Sequence, residues 1–339
     1  RRQRQMCIRD RVRKALGAAS NDPNAYGYPV TAGTADLRSA IAEWFAAARN
    51  VDLTAIDADV VPTVGSKEGV ALMASLLHLG AGDVVVQPKV SYPTYEIGTQ
   101  LAGAEVLKVD DVADVESWKD VPGVKAVWVN SPCNPTGAVL AAEQMAAIVA
   151  AARGIGAVVL SDECYALMQW GNVDVEADAD TLASTPCALR PDVCGGSAQG
   201  VLVLYSLSKQ SNMAGYRTAF IAGDKSLIVP MTAYRKQIGQ IIPGPVQAAM
   251  AVGLRDLESV KAQRKRYANR LGILVSALRA YGYCTDIPDG ALYVWVKAKS
   301  GDCWKDMEQL ARIGIIASPG EFYGCLLYTS DAADDLLCV

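Results

Sequence analysis

One histidine, His78, stands among 339 residues. Serine–histidine relays and most catalytic zinc sites draw on that side chain, so a single histidine argues against both. His78 itself falls in Leu76-Leu-His-Leu79 near a predicted helix end, where a structural role is expected. The nine cysteines are irregularly spaced and form no CxxC pair. No charged segment leads into an apolar signal core, so they read as reduced thiols of a cytoplasmic protein. No uncharged apolar run reaches the ~18 residues of a membrane span. Net charge is −4, with 32 basic and 36 acidic residues interspersed, and the basic stripe of a nucleic-acid surface is missing. GxxxxGK[ST] is absent, and Gly154-Ile-Gly156 precedes its strand where a dinucleotide fingerprint would follow it.

What remains is a chain that is 51% hydrophobic, enough for one large α/β domain and a smaller one. Short β-branched runs alternate with helical patterns. Strands are predicted at Asp83–Gln87, Lys125–Asn130, Gly156–Ser161 and Gly200–Tyr205, and helices at Asp36–Arg49, capped by Thr34, and Ala141–Arg153. That alternation implies a mostly parallel sheet covered on both faces, with its ligand site beyond the carboxyl ends of the strands. A large domain is expected over residues 12–235. A small α+β domain over 236–324 would carry a basic, solvated helix face at Lys261–Arg270 and a strand at Gly290–Val296. Residues 1–11 and 325–339 lack capping and periodicity signals and resemble translated sequencing-adapter read-through, so we expect both to be non-native, leaving the natural protein truncated at each end.

Three polar residues sit at or just beyond predicted strand ends. Asp162 follows Ala157–Ser161 directly, and burying its carboxylate requires a partner. Asn134 lies in the turn Asn130-Ser-Pro-Cys-Asn-Pro-Thr-Gly137, and Lys209 in Tyr205-Ser-Leu-Ser-Lys-Gln210. A lysine desolvated at a sheet's ligand edge becomes a nucleophilic amine. Taken singly, each also fits a cap, a turn or a surface charge.

Together they match a family. Ser206-Leu-Ser-Lys-Gln-Ser-Asn-Met-Ala-Gly-Tyr-Arg217, Asn130–Gly137 and Ser161-Asp-Glu-Cys-Tyr165 resemble, in order, motifs of fold-type I pyridoxal phosphate (PLP) aminotransferases of classes I and II. Tyr28-Pro…Ala32-Gly-Thr…Leu37-Arg38 and Val64-Gly-Ser-Lys67 add two upstream motifs, and the resemblance covers nearly all of positions 12–324. It implies a large domain with a sheet of the seven-stranded type, as in aspartate aminotransferase, and a small domain. It implies that Lys209 forms the internal aldimine and then serves as general base. Asp162 would pair with the pyridine nitrogen, while Asn134 and Tyr165 would hydrogen-bond the ring oxygen. Tyr92 would stack on the ring. Gly65, Ser66 and Lys67 would offer backbone N–H groups to the phosphate, joined by Ser206 and Arg217. Tyr28 would reach that phosphate from the partner of a homodimer. No metal is implied; the partners are amino-acid and 2-oxo-acid substrates.

The local details are most similar to actinobacterial succinyldiaminopimelate aminotransferases, on Tyr28–Thr34, Gly65–Glu68, Tyr92–Glu96, Pro243–Ala249 and Pro319–Gly324. An aspartate- or aromatic-type aminotransferase, a C–S lyase and a catalytically silent homologue remain open alternatives. The family normally binds the substrate carboxylate with an arginine shortly after a segment like Ser318–Gly324, yet no arginine follows position 312. This exact chain is therefore expected to be an impaired fragment of an active enzyme.

Overall fold

The computed structural model describes residues 10–170 and 186–332. Of the two segments expected to be foreign, residues 1–9 and 333–339 lie outside the described residues. Seven strands form the main sheet: β1 (Ala58–Val64), β2 (Val84–Pro88), β3 (Glu105–Val109), β4 (Val124–Asn130), β5 (Val158–Asp162), β6 (Val201–Ser206) and β7 (Thr218–Asp224). Their order is β1-β7-β6-β5-β4-β2-β3, and β7 alone runs against its neighbours. The central strands are mostly apolar, with polar residues chiefly at their ends, because helices cover both faces. Every residue of β6 and of β7 is buried. One face packs Trp44, Phe45, Tyr205 and Phe220; the other packs Met73, Tyr95, Trp128 and Leu204.

All four strands predicted for this sheet are present, with ends within two residues. The helix expected over 36–49 begins at Ala35, with Thr34 Oγ1 accepting from Leu37 N at 3.2 Å. It is α-helical to Trp44 and widens into a π-turn over Phe45–Arg49.

A second, three-stranded antiparallel sheet lies in the small domain: β8 (Tyr293–Lys297), β9 (Ser318–Pro319) and β10 (Tyr328–Ala332), in the order β8-β10-β9. It packs on the helices Leu257–Ala280 and Cys303–Arg312 through Leu271, Leu274, Val294, Val296 and Leu310. Three details differ from expectation. β8 starts at Tyr293, not Gly290, because Gly290 and Ala291 are drawn onto the large domain. Ala291 N donates to Met168 O at 2.8 Å, and Ala291 adopts φ 61°. The basic stretch Lys261–Arg270 is no simple solvated face: Arg264 is buried, donates to Gln169 O at 2.9 Å and lies 5.7 Å from the Trp170 ring centre. The boundary set at residue 235 falls within the helix Lys225–Gln237, and Ile242, Met250 and Leu254 beyond it still join the large core.

Every cysteine among the described residues is free. No helix among them is long and apolar enough to cross a membrane.

β10 is the middle strand of its sheet, paired with β8 over Tyr328–Ala332 and with β9 over Thr329–Ser330. Without it β8 and β9 lose their only pairing in that sheet. Ending the chain at Gly324 is expected to speed hydrogen exchange of the Val294–Lys297 amides at least tenfold, read by mass spectrometry. Unchanged protection would show that β10 is dispensable.

Candidate active site

Parallel strands deliver their last residues to one edge. Asn130 ends β4 and pairs in register with Asp162, the end of β5; Ser206 ends β6 one strand away. A cavity of about 240 Å³ opens there. Asp162, Asn134, Tyr165, Lys209 and Arg217 all line it. So do Ser66, Lys67, Tyr92 and Ser206. Gly65 borders it through Arg217, and Tyr28 stands apart, fully exposed.

Asp162 is only 6% exposed. Its Oδ2 accepts from the Tyr95 hydroxyl at 2.9 Å and its Oδ1 from the Cys164 amide at 3.1 Å. Burial raises its pKa above the usual carboxylate value, against the two hydrogen bonds, which lower it. Burial and the Asp162 charge together push the Tyr95 phenol well up, so Tyr95 stays a donor. The adjacent carboxylate, Glu163, has a cation: Arg49 Nη2 sits 2.8 Å from it, both side chains fully buried.

The turn after β4 is built by Asn130. Its amide donates to Asp162 O at 2.9 Å and its oxygen accepts from Asn134 N at 2.7 Å, which turns Asn134 towards the cavity. The Asn134 side-chain oxygen is buried there with no hydrogen-bond partner. Tyr165 meets Tyr293 of β8, hydroxyl to hydroxyl at 2.8 Å. Lys209, in the short helix Leu207–Gln210, places its ammonium 5.9 Å from the Tyr165 ring centre. Ser206 Oγ caps that helix, accepting from Ser208 N at 3.1 Å.

On the opposite wall Gly65 caps the helix Ser66–Leu76, whose first-turn N–H groups have no partner inside the helix. Gly65 has φ 74°, and a Cβ there would stand 2.0 Å from Arg217 Nη2. The guanidinium therefore occupies the space a side chain would take. Arg217 is itself left-handed, at φ 54°, which aims it back at that helix. Lys67 sits 5.6 Å over the Tyr92 ring. His78 packs edge-on against Tyr234 at 5.5 Å, at the far end of the same helix.

Comparison with known proteins places this arrangement. A family model described as aminotransferase class I and II matches residues 3–332. The chain belongs to the class I and II aminotransferases. A probable aminotransferase of Mycobacterium tuberculosis is 40% identical over 92% of this chain and 70% of its own. The 4-dedimethylamino-4-oxo-anhydrotetracycline transaminase OxyQ of Streptomyces rimosus is also 40% identical, over 93% and 82%. The LL-diaminopimelate aminotransferase of Maridesulfovibrio salexigens is 29% identical over 93% and 80%. A solved aminotransferase from Neisseria meningitidis superposes with TM-score 0.81 at 27% identity, covering 96% of this chain and 84% of that one.

This aminotransferase works with pyridoxal phosphate, and its residues fit the group. The buried Asn134 side-chain oxygen has no hydrogen-bond partner and awaits a donor, a buried carboxylate awaits a cation, and a helix N-terminus with a guanidinium awaits an anion. Sequence reading missed Tyr95, Cys164, Ser208, Ala214 and Tyr293 around the aminotransferase cavity. Cys164 and Ser208 stand inside the quoted motifs, which was a usable signal; Tyr293 carried none.

A raised carboxylate pKa has a definite sign for stability. Below the unfolded value Asp162 is protonated in both states; from there up to the raised folded value the unfolded chain loses the proton while the buried carboxyl keeps it, so stability falls across that window and stays lower above it. The cofactor-free Asp162→Asn protein should match the parent in thermal stability near pH ~3 and exceed it near pH ~8. Its affinity for PLP should fall about 10- to 100-fold. Equal destabilisation at both pH values would contradict this.

Proposed function

We propose that the cavity is the transamination site and that Lys209 carries the cofactor and moves the proton. The observation that supports this most is the convergence of Lys209, Asp162 and Asn134 on one open cavity with a helix N-terminus and Arg217 opposite. Bound pyridoxal phosphate supplies an electron sink for the carbon that loses its proton. Lys209, half-buried at the cavity, would act as an amine nucleophile and then as a base. Asp162, ionised against the ring nitrogen, holds a proton there; Asn134 and Tyr165 donate to the ring oxygen. Tyr92 packs on the ring face. Gly65, Ser66 and Lys67 offer backbone N–H groups to the phosphate, with the Ser206 hydroxyl and the Arg217 guanidinium beside them. Fully exposed, Tyr28 is left for the phosphate of a second copy in a homodimer.

For the substrate, we infer N-succinyl-L,L-diaminopimelate with 2-oxoglutarate, in a cytoplasmic lysine-forming route. The motifs that resemble succinyldiaminopimelate aminotransferases support this, as does kinship at 29% identity with an LL-diaminopimelate aminotransferase. The 40% identity with a tetracycline-pathway transaminase favours a second reading, a ring ketone as amino acceptor.

Visible absorbance tests both levels. The protein with PLP should show a band near the blue edge of the visible that Lys209→Ala abolishes. Succinyldiaminopimelate should bleach it more than aspartate or glutamate does. Bleaching by other amines alone would keep the mechanism and remove the substrate; no band in the folded protein would remove both.

A further inference from the structure

Tyr293 is the small domain's contribution to the cavity lining among the described residues, and nothing so far gives it a task. It is placed with care. Just before it, the chain is stitched to the segment that follows Tyr165. Ala291 N donates to Met168 O at 2.8 Å, Trp170 N donates to Asp289 O at 2.7 Å, and the Trp170 indole N–H donates to Ala291 O. Gly290 packs so closely on Pro132 that a Cβ would stand 2.6 Å from the proline ring. Between that stitch and Tyr293 lies Ala291 at φ 61°, a conformation costly for a non-glycine residue, which redirects the chain into β8. The outcome is a 2.8 Å contact between the Tyr293 and Tyr165 hydroxyls across 128 residues of sequence.

A phenol has one proton to give and lone pairs to accept. In an isolated pair either hydroxyl can be the donor. Once the Tyr165 proton is committed to a cofactor oxygen, the pair persists only with Tyr293 donating to the Tyr165 oxygen. Hydrogen bonds in such a chain polarise one another, so Tyr165 becomes a stronger donor. We propose that Tyr293 is a positioning residue: it holds and polarises the Tyr165 hydroxyl, and through it sets the proton affinity of the bound cofactor. This rests on the reading that Tyr165 donates to pyridoxal phosphate.

The other ionisable groups facing this pair are Lys209 from the Leu207–Gln210 helix, Asp162 and Cys164 at the end of β5, Lys67 and Tyr92 across the cavity, and Arg217 beyond Lys209. All are left intact when only the Tyr293 hydroxyl is removed. That makes Tyr293→Phe the informative change, since it keeps the ring and its edge-on contact with Tyr165 at 5.7 Å.

The test is a spectrophotometric pH titration of the full chain loaded with PLP, as parent, Tyr293→Phe, Tyr293→Leu and Tyr165→Phe. The pH at which the visible band converts should rise by roughly 0.3–1 unit in both Tyr293 variants, and further in Tyr165→Phe. Equal shifts for Phe and Leu would show that the hydroxyl acts, not the packing. A parent band with an unshifted midpoint in Tyr293→Phe would overturn the proposal and leave the cofactor reading standing. A folded parent with no band would overturn the cofactor reading, and this proposal with it.

Discussion

A carboxylate taken out of water at the end of β5 constrains everything around it. Asp162 is held by two neutral donors, the Tyr95 hydroxyl and the Cys164 amide. Removing a charge from water costs several kcal/mol unless a counter-charge repays it. Its neighbour Glu163 shows the alternative: with Arg49 2.8 Å away and both fully buried, that carboxylate is a closed structural pair. Two successive acids on one strand end thus have opposite fates. The one that lacks a built-in guanidinium is the one that faces the cavity. On the proposed reading a protonated pyridine nitrogen would complete it, tying the shape of the sheet edge to the chemistry of the cofactor.

The rest of the cavity follows from bringing three polar groups to that carboxylate. Parallel pairing sets Asn130 beside Asp162, and Asn130 spends its amide on the turn that presents Asn134. One strand over, β6 ends at Ser206, and the four-residue helix capped by it lifts Lys209 over the same opening. The wall proposed for the phosphate depends on two positive-φ backbones facing each other, Gly65 and Arg217. Glycine takes its conformation freely while Arg217 bears a cost; together they press a guanidinium against a helix N-terminus, where an anion would gain from both.

Lys209, Asp162 and Asn134 were legible because each lies within a contiguous motif at or just beyond a strand whose apolar run is visible in the sequence. Helix capping by Thr34 was legible for the same local reason. The edge strand β3 was not: in Glu105-Val-Leu-Lys-Val109 the charged Lys108 breaks the apolar run, and its residues are mostly half-buried or exposed. β7 hides behind Gly223, whose φ of 147° lets the backbone pass close to β6. Tyr95 and Tyr293 reach their partners across 67 and 128 residues, so only the folded chain brings them to Asp162 and Tyr165. The bend that starts β8 at Tyr293 depends on contacts with Met168 and Trp170, which no local pattern reports. Burial of Arg264 escaped notice because a lysine- and arginine-rich helix usually faces water, and here a carbonyl and the Trp170 ring receive the guanidinium.

The central claim is that Asp162 is buried to meet a ring cation. A crystal structure of the protein loaded with pyridoxal phosphate tests it most directly. An Asp162 carboxylate oxygen is expected within hydrogen-bonding distance of the pyridine nitrogen, with the phosphate between the Ser66–Leu76 helix and Arg217. A ring nitrogen facing away from Asp162, with the phosphate on another wall, would contradict it.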